Sequence, residues 1–254
     1  MHPILFQFGR LTVYTYGLFI ALGFFAALWV ASREARRLGI DPKRIQDLGL
    51  VALVAALVGS RLFYVLVEWE YFVRHPLKVF EIWKGGLVFY GGFVVAALAA
   101  LAYVRHYGLP VWATADAIAP GLALGHAIGR IGCFFAGCCY GKECSLPWAV
   151  TFSDPRGLAP LNVPLHPTQL YSALGNLVVF AVLYGVARKR LRGSGQVFGL
   201  YLVLYPAVRF AVEFFRADPR GSLGPLSTSQ ALGIPLFLFG LWILLARREG
   251  KGTA

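Results

Sequence analysis

Long apolar stretches separated by short polar ones run through the whole chain, and seven of them approach bilayer length. A helix needs roughly 20 apolar residues to cross a bilayer core. Helix is expected because lipid-facing backbone must satisfy its own hydrogen bonds, and the ten-residue alternating strands of a membrane barrel are not seen. The pattern predicts an all-α integral membrane protein, a single polytopic domain over residues 1–254, with spans at about 14–32, 48–67, 86–104, 115–137, 168–187, 196–214 and 229–246.

Composition supports a membrane protein. The chain is 58% apolar and 14% charged, and its mean hydropathy is +0.64, whereas about a quarter of the residues in a soluble domain are charged. Residues 138–166, between the fourth and fifth predicted spans, are irregular and long enough to form a small subdomain outside the membrane.

The distribution of lysine and arginine predicts an orientation. Thirteen of them lie near the span ends on one face (the 33–47, 105–114 and 188–195 loops and the C-terminal tail), against eight on the other. The positive-inside rule then places the N-terminus outside and the C-terminus in the cytoplasm. The net charge of +12 is explained by anchoring to anionic lipid, so no nucleic-acid partner is expected.

Three arginines, Arg61, Arg130 and Arg209, lie inside predicted spans. Holding a charge in the bilayer costs a few kcal/mol at least, so such residues are functional candidates. With the predicted orientation, all three fall in the outer half of the membrane. Glu213 and Arg216 follow Arg209 by one and two helical turns. The pattern indicates an anion site facing the outer leaflet. The alternative is that each arginine neutralises an acid or caps broken backbone.

Glycines accompany these charges. Gly121, Gly125 and Gly129 repeat every four residues, a pattern that lets membrane helices approach closely. The stretch "GGLVFYGG" (85–92) predicts an irregular start to the third span, because glycine adopts backbone shapes closed to other residues. Tyr90 in this stretch is expected near the outer interface, where tyrosine is common in any case.

All four cysteines lie close together, at positions 133, 138, 139 and 144. Their spacing is not the paired C-x-x-C of a zinc site. An outward-facing segment meets an oxidising compartment, so one or two disulfides are the favoured expectation. Free packing thiols and a metal site are the alternatives.

Several stretches carry a family resemblance. They are "YG" at 16–17, "GGLVFYGG" at 85–92, "GRIGCFFAGCCYG" at 129–141, "HPTQLY" at 166–171 and "RFAVEFFRADP" at 209–219. In this order, over almost the full length, they resemble bacterial prolipoprotein diacylglyceryl transferases. The resemblance implies seven helices in the bacterial inner membrane, an outside N-terminus and a small periplasmic head between spans four and five.

The resemblance also implies an activity. Family members move the diacylglyceryl group of phosphatidylglycerol onto the lipobox cysteine thiol in the signal peptide of a preprolipoprotein. A thioether forms and glycerol-1-phosphate leaves, and no metal or organic cofactor is implied. A transporter of anions or anionic lipids is the alternative, because intramembrane arginines suit it equally well. The sequence lacks the internal symmetry of many transporters.

Roles for individual residues follow from the resemblance. Arg130 and Arg209 are expected to hold the phosphate head group and to act in catalysis, since guanidinium binds phosphate bidentately. Glu213 is expected to orient Arg209. By the resemblance, Arg216, Tyr16 and Gln169 are further candidates for substrate binding. Arg61 joins them because it lies inside a predicted span, and Tyr90 is a candidate for orienting the donor because a phenol can donate a hydrogen bond to a phosphate or ester oxygen. His166, with His126 less favoured, is the candidate base.

The sequence departs from the family pattern at three places. Many members have histidine where this chain has Tyr90, and asparagine where it has Cys133. The usual Asn-Gly-Glu reads Ala136-Gly137-Cys138. A mechanism with histidine at position 90 is therefore excluded for this chain, and a phenol is a poor base at neutral pH.

Overall fold

The computed structural model describes residues 2–9, 11–81, 85–218 and 221–247. The helices are α1 (Thr15–Arg37), α2 (Pro42–Val67), α3 (Trp69–Arg74), a 3₁₀ turn (Pro76–Phe80), α4 (Phe89–His106), α5 (Val111–Ala136), α6 (Thr168–Ala181) with a π-helical continuation (Val182–Ala187), α7 (Arg188–Arg190), α8 (Gln196–Glu213) and α9 (Thr228–Ala246). Antiparallel hairpins pair β1 (Ile4–Phe8) with β2 (Leu11–Tyr14), β3 (Val150–Thr151) with β4 (Pro164–Leu165), and β5 (Ser222–Leu223) with β6 (Leu226–Ser227). Some charges used in the orientation prediction lie outside the described residues: Arg10, Lys84, Arg220 and those in 248–254.

Among the described residues, six helical stretches are long and apolar enough to cross a membrane. They are α1, α2, α4, α5, the continuous stretch Thr168–Arg190, and α9. Helix α8 coincides with the predicted sixth span but is not among the six, and Gln196, Arg209 and Glu213 interrupt its apolar sequence. The predicted all-helical membrane fold is confirmed, with six to seven candidate spans.

Contacts divide the chain into two compact units. One comprises Met1–Glu34 and Ala115–Ala254, and the other comprises Ala35–Thr114. The prediction of a single polytopic domain stays a prediction.

In the first unit, α5 packs closely against α1 through the predicted glycine repeat. A Cβ atom on Gly121 would lie 2.4 Å from the Ala27 carbonyl oxygen, and one on Gly125 would lie 3.1 Å from that of Gly23. At Gly129 the nearest atom is an ordinary 3.5 Å away. The close approach predicted from the repeat is confirmed at its first two positions, and it fixes the helix that carries Arg130.

The same unit contains α8 and α9, which pack together and have defined starts. Asp116 of α5 accepts hydrogen bonds from the amide nitrogens of Gly195 (2.6 Å) and Phe198 (2.8 Å), which satisfies donors at the start of α8. Ser227 and Gln230 form a reciprocal capping box at the start of α9. Helix α8 is thereby anchored to α5 at the end opposite Arg209.

In the second unit, α2 and α4 pack through glycines at their crossing. A Cβ atom on Gly92 would lie 2.1 Å from Ser60 Oγ, and one on Gly59 would lie 2.5 Å from Val95 Cβ. Before α4 begins, Gly85 and Gly86 have φ values of 86° and 71°, in the left-handed region that favours glycine. The predicted irregular start of the third span is confirmed.

The segment between α5 and α6 folds around a small core of its own. Phe152, Ala159 and Leu165 are buried there, with Phe134 and Tyr140 packed against them. We call residues 137–167 the head segment. It is joined to the end of α8 by backbone hydrogen bonds from Lys142 N to the Phe215 oxygen and from Ala217 N to the Tyr140 oxygen.

Candidate active site

Three of the predicted arginines meet in the first unit. Arg130 lies near the end of α5, Arg209 in the last turns of α8, and Arg216 three residues after α8 ends. Electrostatic interactions link Arg130 with Arg216, and Arg209 with both. Like charges repel, so a cluster of this kind has to be held in place by the fold and by nearby carboxylates.

Glu213 holds Arg209, as the sequence predicts. The two side chains form a salt bridge across one helical turn, and their exposed fractions are 14% and 5%. Arg209 Nη2 also donates to Ser229 Oγ at 2.8 Å, in the first turn of α9. These two contacts set the direction of the guanidinium group.

Arg216 is held in the same manner. Its Nε and Nη2 atoms donate to the two carboxylate oxygens of Asp218, at 3.0 and 2.8 Å, and its side chain is 4% exposed. Its backbone forms a bridge to Gly141 of the head segment. A Cβ atom on Gly141 would lie 2.4 Å from the His166 carbonyl oxygen and 2.9 Å from that of Phe215, so glycine is required where three chain segments meet.

Arg130 differs from the other two arginines. Within the part of the chain that the structure describes, one hydrogen bond involves its side chain, from Nη1 to Cys139 Sγ at 3.5 Å. Tyr16 and Tyr205 also interact with it electrostatically. Guanidinium has five N–H donors, so most donors of Arg130 have no hydrogen-bond partner among the described residues.

The charges of this cluster do not cancel. Among the described residues, Arg209 pairs with Glu213 and Arg216 pairs with Asp218, so the charge of Arg130 is the excess in this set of five groups. A half-buried cluster with one excess positive charge and open guanidinium donors suits a ligand with a single negative charge, such as a phosphodiester.

The cysteines next to Arg130 are free thiols in the structure, including Cys144. The favoured expectation of a disulfide is therefore wrong for this structure. Hydrogen bonds from the thiols of Cys133 and Cys138, and the charges of Arg216 and Arg130, hold the pKa of Cys139 below its ordinary value, although burial opposes them. The pKa of Cys138 is raised by its hydrogen bonds with Cys133 and Cys139 and by burial.

Comparison with known proteins decides the family. The sequence profile of prolipoprotein diacylglyceryl transferases matches residues 3–246. The chain belongs to the prolipoprotein diacylglyceryl transferase family. It is 35% identical to the phosphatidylglycerol–prolipoprotein diacylglyceryl transferase of Clostridium tetani, over 99% of this chain and 100% of the relative. It is 38% identical to the protein of the same name from Geobacter sulfurreducens (97% and 96%) and 36% identical to that from Thermosynechococcus vestitus (93% and 89%).

Two further predicted site residues lie in the head segment and α6 of this family member. His166 is partly buried, and its Nδ1 is 3.2 Å from the Tyr171 hydroxyl, which accepts a hydrogen bond from Trp148 Nε1 at 2.8 Å. Gln169 is 1% exposed, and its Nε2 donates to the Cys138 carbonyl oxygen at 2.8 Å. Gln169 thus supports the turn that follows α5, and its role toward a substrate stays a prediction.

Tyr16 and His126 flank Arg130 along the helices. Tyr16, in the first turn of α1, is 42% exposed, and its backbone passes 3.3 Å from the position of a Cβ atom on Gly132. His126 lies one turn before Arg130, with Nδ1 3.3 Å from the Tyr201 hydroxyl and its ring 5.0 Å from that of Tyr205. Both stay candidates for the site.

Arg61 and Tyr90 belong to the second unit. Arg61 donates to the carbonyl oxygens of Val79 (2.8 Å), Gly85 (3.0 Å), Gly86 (3.2 Å) and Lys78 (2.5 Å). Arg61 therefore caps the irregular backbone before α4. This agrees with the alternative in the sequence analysis, that an arginine within a span caps broken backbone. A substrate-binding role for Arg61 stays a prediction. Tyr90 is 47% exposed in the first turn of α4.

Sequence reasoning missed Asp218 and Ser229, which hold Arg216 and Arg209. Asp218 lies two residues after Arg216, a spacing that could have indicated the bidentate pair. Ser229 lies 20 residues from Arg209 along the chain, so only the packing of α8 against α9 brings the two together.

Proposed function

We propose that this chain transfers the diacylglyceryl group of phosphatidylglycerol to the lipobox cysteine of a preprolipoprotein signal peptide, the first step of lipoprotein maturation. Phosphatidylglycerol and prolipoproteins are the substrates that the names of its relatives state. The observation that carries the proposal is the Arg130 side chain, whose open donors lie in a cluster with one excess positive charge.

Arg130 and Arg209 are assigned to the donor phosphate. Phosphatidylglycerol has one negative charge on a phosphodiester, which the guanidinium fork of Arg130 can hold by two parallel hydrogen bonds. Arg209 adds a second charge whose direction is set by Glu213 and Ser229. Arg216 is assigned a longer-range electrostatic role, because its Nε and Nη2 atoms already donate to Asp218. Tyr16 and Gln169 are assigned to the lining of the same site.

The reaction itself is a substitution at carbon. The acceptor thiolate attacks the diacylglyceryl carbon that bears the phosphate ester, a C–S bond forms, and the C–O bond to phosphate breaks. The bonding pair leaves with the oxygen, so glycerol-1-phosphate departs with an additional negative charge. Cations already aimed at that oxygen stabilise the charge as it develops, in a site from which water is excluded.

The acceptor thiol must lose its proton, and two features of the site favour this: the nearby arginines and a histidine that can act as the base. A thiol must become a thiolate before it attacks, and nearby arginines favour the anion. We assign the proton to His166, whose ring is fixed by Tyr171 and Phe215, and retain His126 as the less favoured acceptor. Tyr90 is assigned to donate a hydrogen bond to a phosphate or ester oxygen of the donor, because a phenol is a hydrogen-bond donor and a poor base at neutral pH.

An apolar cavity of about 620 Å³ lies between α8 and α9. Phe210 and Phe214 of α8 and Ile234 and Phe237 of α9 are among its lining residues. Arg209 is not among the lining residues, but it donates to Ser229, which lies one helical turn before the lining residue Gly233. We assign the cavity to an acyl chain of the donor.

The membrane location belongs to the same proposal. The chain is a multi-pass membrane protein, and we place it in the bacterial inner membrane with the N-terminus in the periplasm and the C-terminus in the cytoplasm. The support is the distribution of lysine and arginine between the loops. The arginine cluster then opens toward the leaflet from which a secreted lipoprotein precursor presents its cysteine.

Mass spectrometry of a defined reaction tests the function. The full-length protein in nanodiscs is mixed with phosphatidylglycerol and a lipobox peptide, and the peptide mass is followed with time. We expect a gain of one diacylglyceryl group, no gain on a peptide with serine in place of cysteine, and none when phosphatidylcholine replaces phosphatidylglycerol. No gain with phosphatidylglycerol, or equal gain with both lipids, contradicts the proposal.

A further inference from the structure

Three cysteine sulfur atoms converge where α5 ends. The Sγ atoms of Cys133, Cys138 and Cys139 all lie within 4.8 Å of one another. Cys144, the remaining cysteine, is not part of this group. Cys133 is buried in the last turn of α5, and the other two are partly buried.

The backbone holds the three sulfurs together. Gly137 ends the helix with a φ of 71°, and Cys139 itself has a φ of 59°. Such a φ is uncommon for a residue with a Cβ atom and is strained. The chain reverses at these two positions, which returns Cys138 and Cys139 toward Cys133. Backbone strain of this kind clusters at functional sites.

The first turn of α6 holds the backbone of Cys138 and Cys139 in place. Thr168 Oγ1 donates to the Cys139 carbonyl oxygen at 2.7 Å, and Gln169 Nε2 donates to the Cys138 carbonyl oxygen at 2.8 Å. Thr168 and Gln169 are each 1% exposed. Buried contacts of this kind hold metal-binding side chains in position before a metal ion binds.

The spacing and charge of the cluster fit a soft divalent cation. With zinc–sulfur bonds of about 2.3 Å, tetrahedral ligands lie about 3.8 Å apart. The three sulfur atoms lie within 4.8 Å of one another, so they need to move closer by at most about 1 Å. Three thiolates around a divalent cation sum to one negative charge. Arg130, with Nη1 at 3.5 Å from Cys139 Sγ, supplies the balancing positive charge. Sulfur ligands select Zn²⁺ and similar soft metals over Mg²⁺ or Ca²⁺.

We propose that Cys133, Cys138 and Cys139 form a binding site for one thiophilic divalent cation of the Zn²⁺ class, bound by three thiolates with the fourth position open. Binding releases the thiol protons to solvent and leaves the oxidation states of metal and sulfur unchanged. The three cysteines take no part in the transfer chemistry assigned to the arginines. The metal site and the phosphate site are nevertheless neighbours, because Arg130 borders both.

Cadmium titration of the reduced, metal-free, full-length protein tests the site. We expect one Cd²⁺ per chain, with an ultraviolet sulfur-to-metal charge-transfer band of the strength that three thiolates give. In Cys139→Ser, the Kd for Zn²⁺, measured by competition with a chelator, should rise by roughly 100-fold or more, since even the loss of residues that only support the ligands costs 10–100-fold. The matched control, Cys144→Ser, should keep both the band and the Kd. No band at one equivalent, or a band lost in Cys144→Ser and kept in Cys139→Ser, overturns the proposal.

A measurement on the unmodified chain does not depend on whether the variant folds. The reduced protein is alkylated with and without Zn²⁺, and the modified cysteines are located by peptide mass spectrometry. Zn²⁺ should slow alkylation of Cys138 and Cys139 and leave that of Cys144 unchanged. Equal rates with and without Zn²⁺ at Cys138 and Cys139, or equal protection of Cys144, contradicts a site at this cluster.

Discussion

Replacement of Arg130 by lysine separates its charge from its shape. Lysine keeps the positive charge but, as a point charge, cannot make two parallel hydrogen bonds to one phosphate. A hydrogen bond to a charged group contributes about 1.5–3 kcal/mol, and each 1.36 kcal/mol is a factor of ten in rate. Loss of one such bond in Arg130→Lys should lower kcat/KM for phosphatidylglycerol by about 10- to 100-fold, and Arg130→Ala should abolish transfer.

The structure also predicts what Arg130→Lys leaves intact. Among the described residues, the Arg130 side chain makes one hydrogen bond, to a sulfur atom at 3.5 Å. Sulfur is a weak acceptor and lysine keeps a charged donor, so the free energy of unfolding should change by less than about 1 kcal/mol. The assay is the initial rate of peptide mass gain against donor concentration, together with thermal unfolding in the same nanodiscs.

Arg156→Lys is the matched control. Arg156 makes a bidentate contact with Asp154 in the head segment, and its side chain is 55% exposed. The same chemical change there should affect neither rate nor stability, because exposed ion pairs contribute little. Transfer at the parental rate by Arg130→Lys would refute the bidentate phosphate role, and so would a rate loss fully explained by a smaller folded fraction.

Other variants test the neighbouring assignments. Arg209→Ala should lose more transfer activity than Glu213→Gln, because the first removes a phosphate ligand whereas the second keeps an oxygen acceptor for Arg209; the reverse order of initial rates would contradict the orienting role. Replacement of all four cysteines by serine should lower the thermal midpoint yet retain turnover, since the acceptor thiol belongs to the substrate, and complete loss in a folded variant would favour a thiol mechanism. Zn²⁺ should slow transfer by the parent but not by that four-serine variant, because an anionic metal–thiolate cluster holds Arg130; equal inhibition of both would refute the link. Rates against pH should show partial loss in Tyr90→Phe and an altered profile in His166→Gln, and a wholly inactive Tyr90→Phe beside an unchanged His166→Gln would identify tyrosinate as the base.

The sequence predicts the spans well because membrane helices follow from apolar length alone. The predicted span 86–104 begins three residues too early, since Gly85 and Gly86 have positive φ and α4 begins at Phe89. The predicted span 168–187 includes the stretch Val182–Ala187, but the sequence does not predict that this stretch is π-helical. Apolar periodicity does not distinguish i→i+4 from i→i+5 hydrogen bonding.

The arginine cluster was partly predictable. Spacing on one helix gave the Arg209–Glu213 pair, and the cost of burial marked Arg130 as functional. The same argument selected Arg61, whose donors bind backbone carbonyls of residues 78–86. Depth in the membrane does not distinguish the two cases, because both a phosphate and a broken stretch of backbone offer oxygen acceptors to guanidinium. The two cases are distinguished by the hydrogen-bond acceptors that the structure places around each arginine.

Cysteine in place of the family asparagine at position 133 bears on how Arg130 is held. An asparagine amide can both donate and accept hydrogen bonds, whereas a thiol is a weak donor and a weak acceptor. The position of Arg130 therefore depends on backbone more than on that side chain: α5 lies against α1 at Gly121 and Gly125, and Thr168 and Gln169 bind the carbonyl oxygens of the turn after α5. The substitution then gives this chain something that an amide cannot supply, a set of soft ligands beside its phosphate-binding arginine.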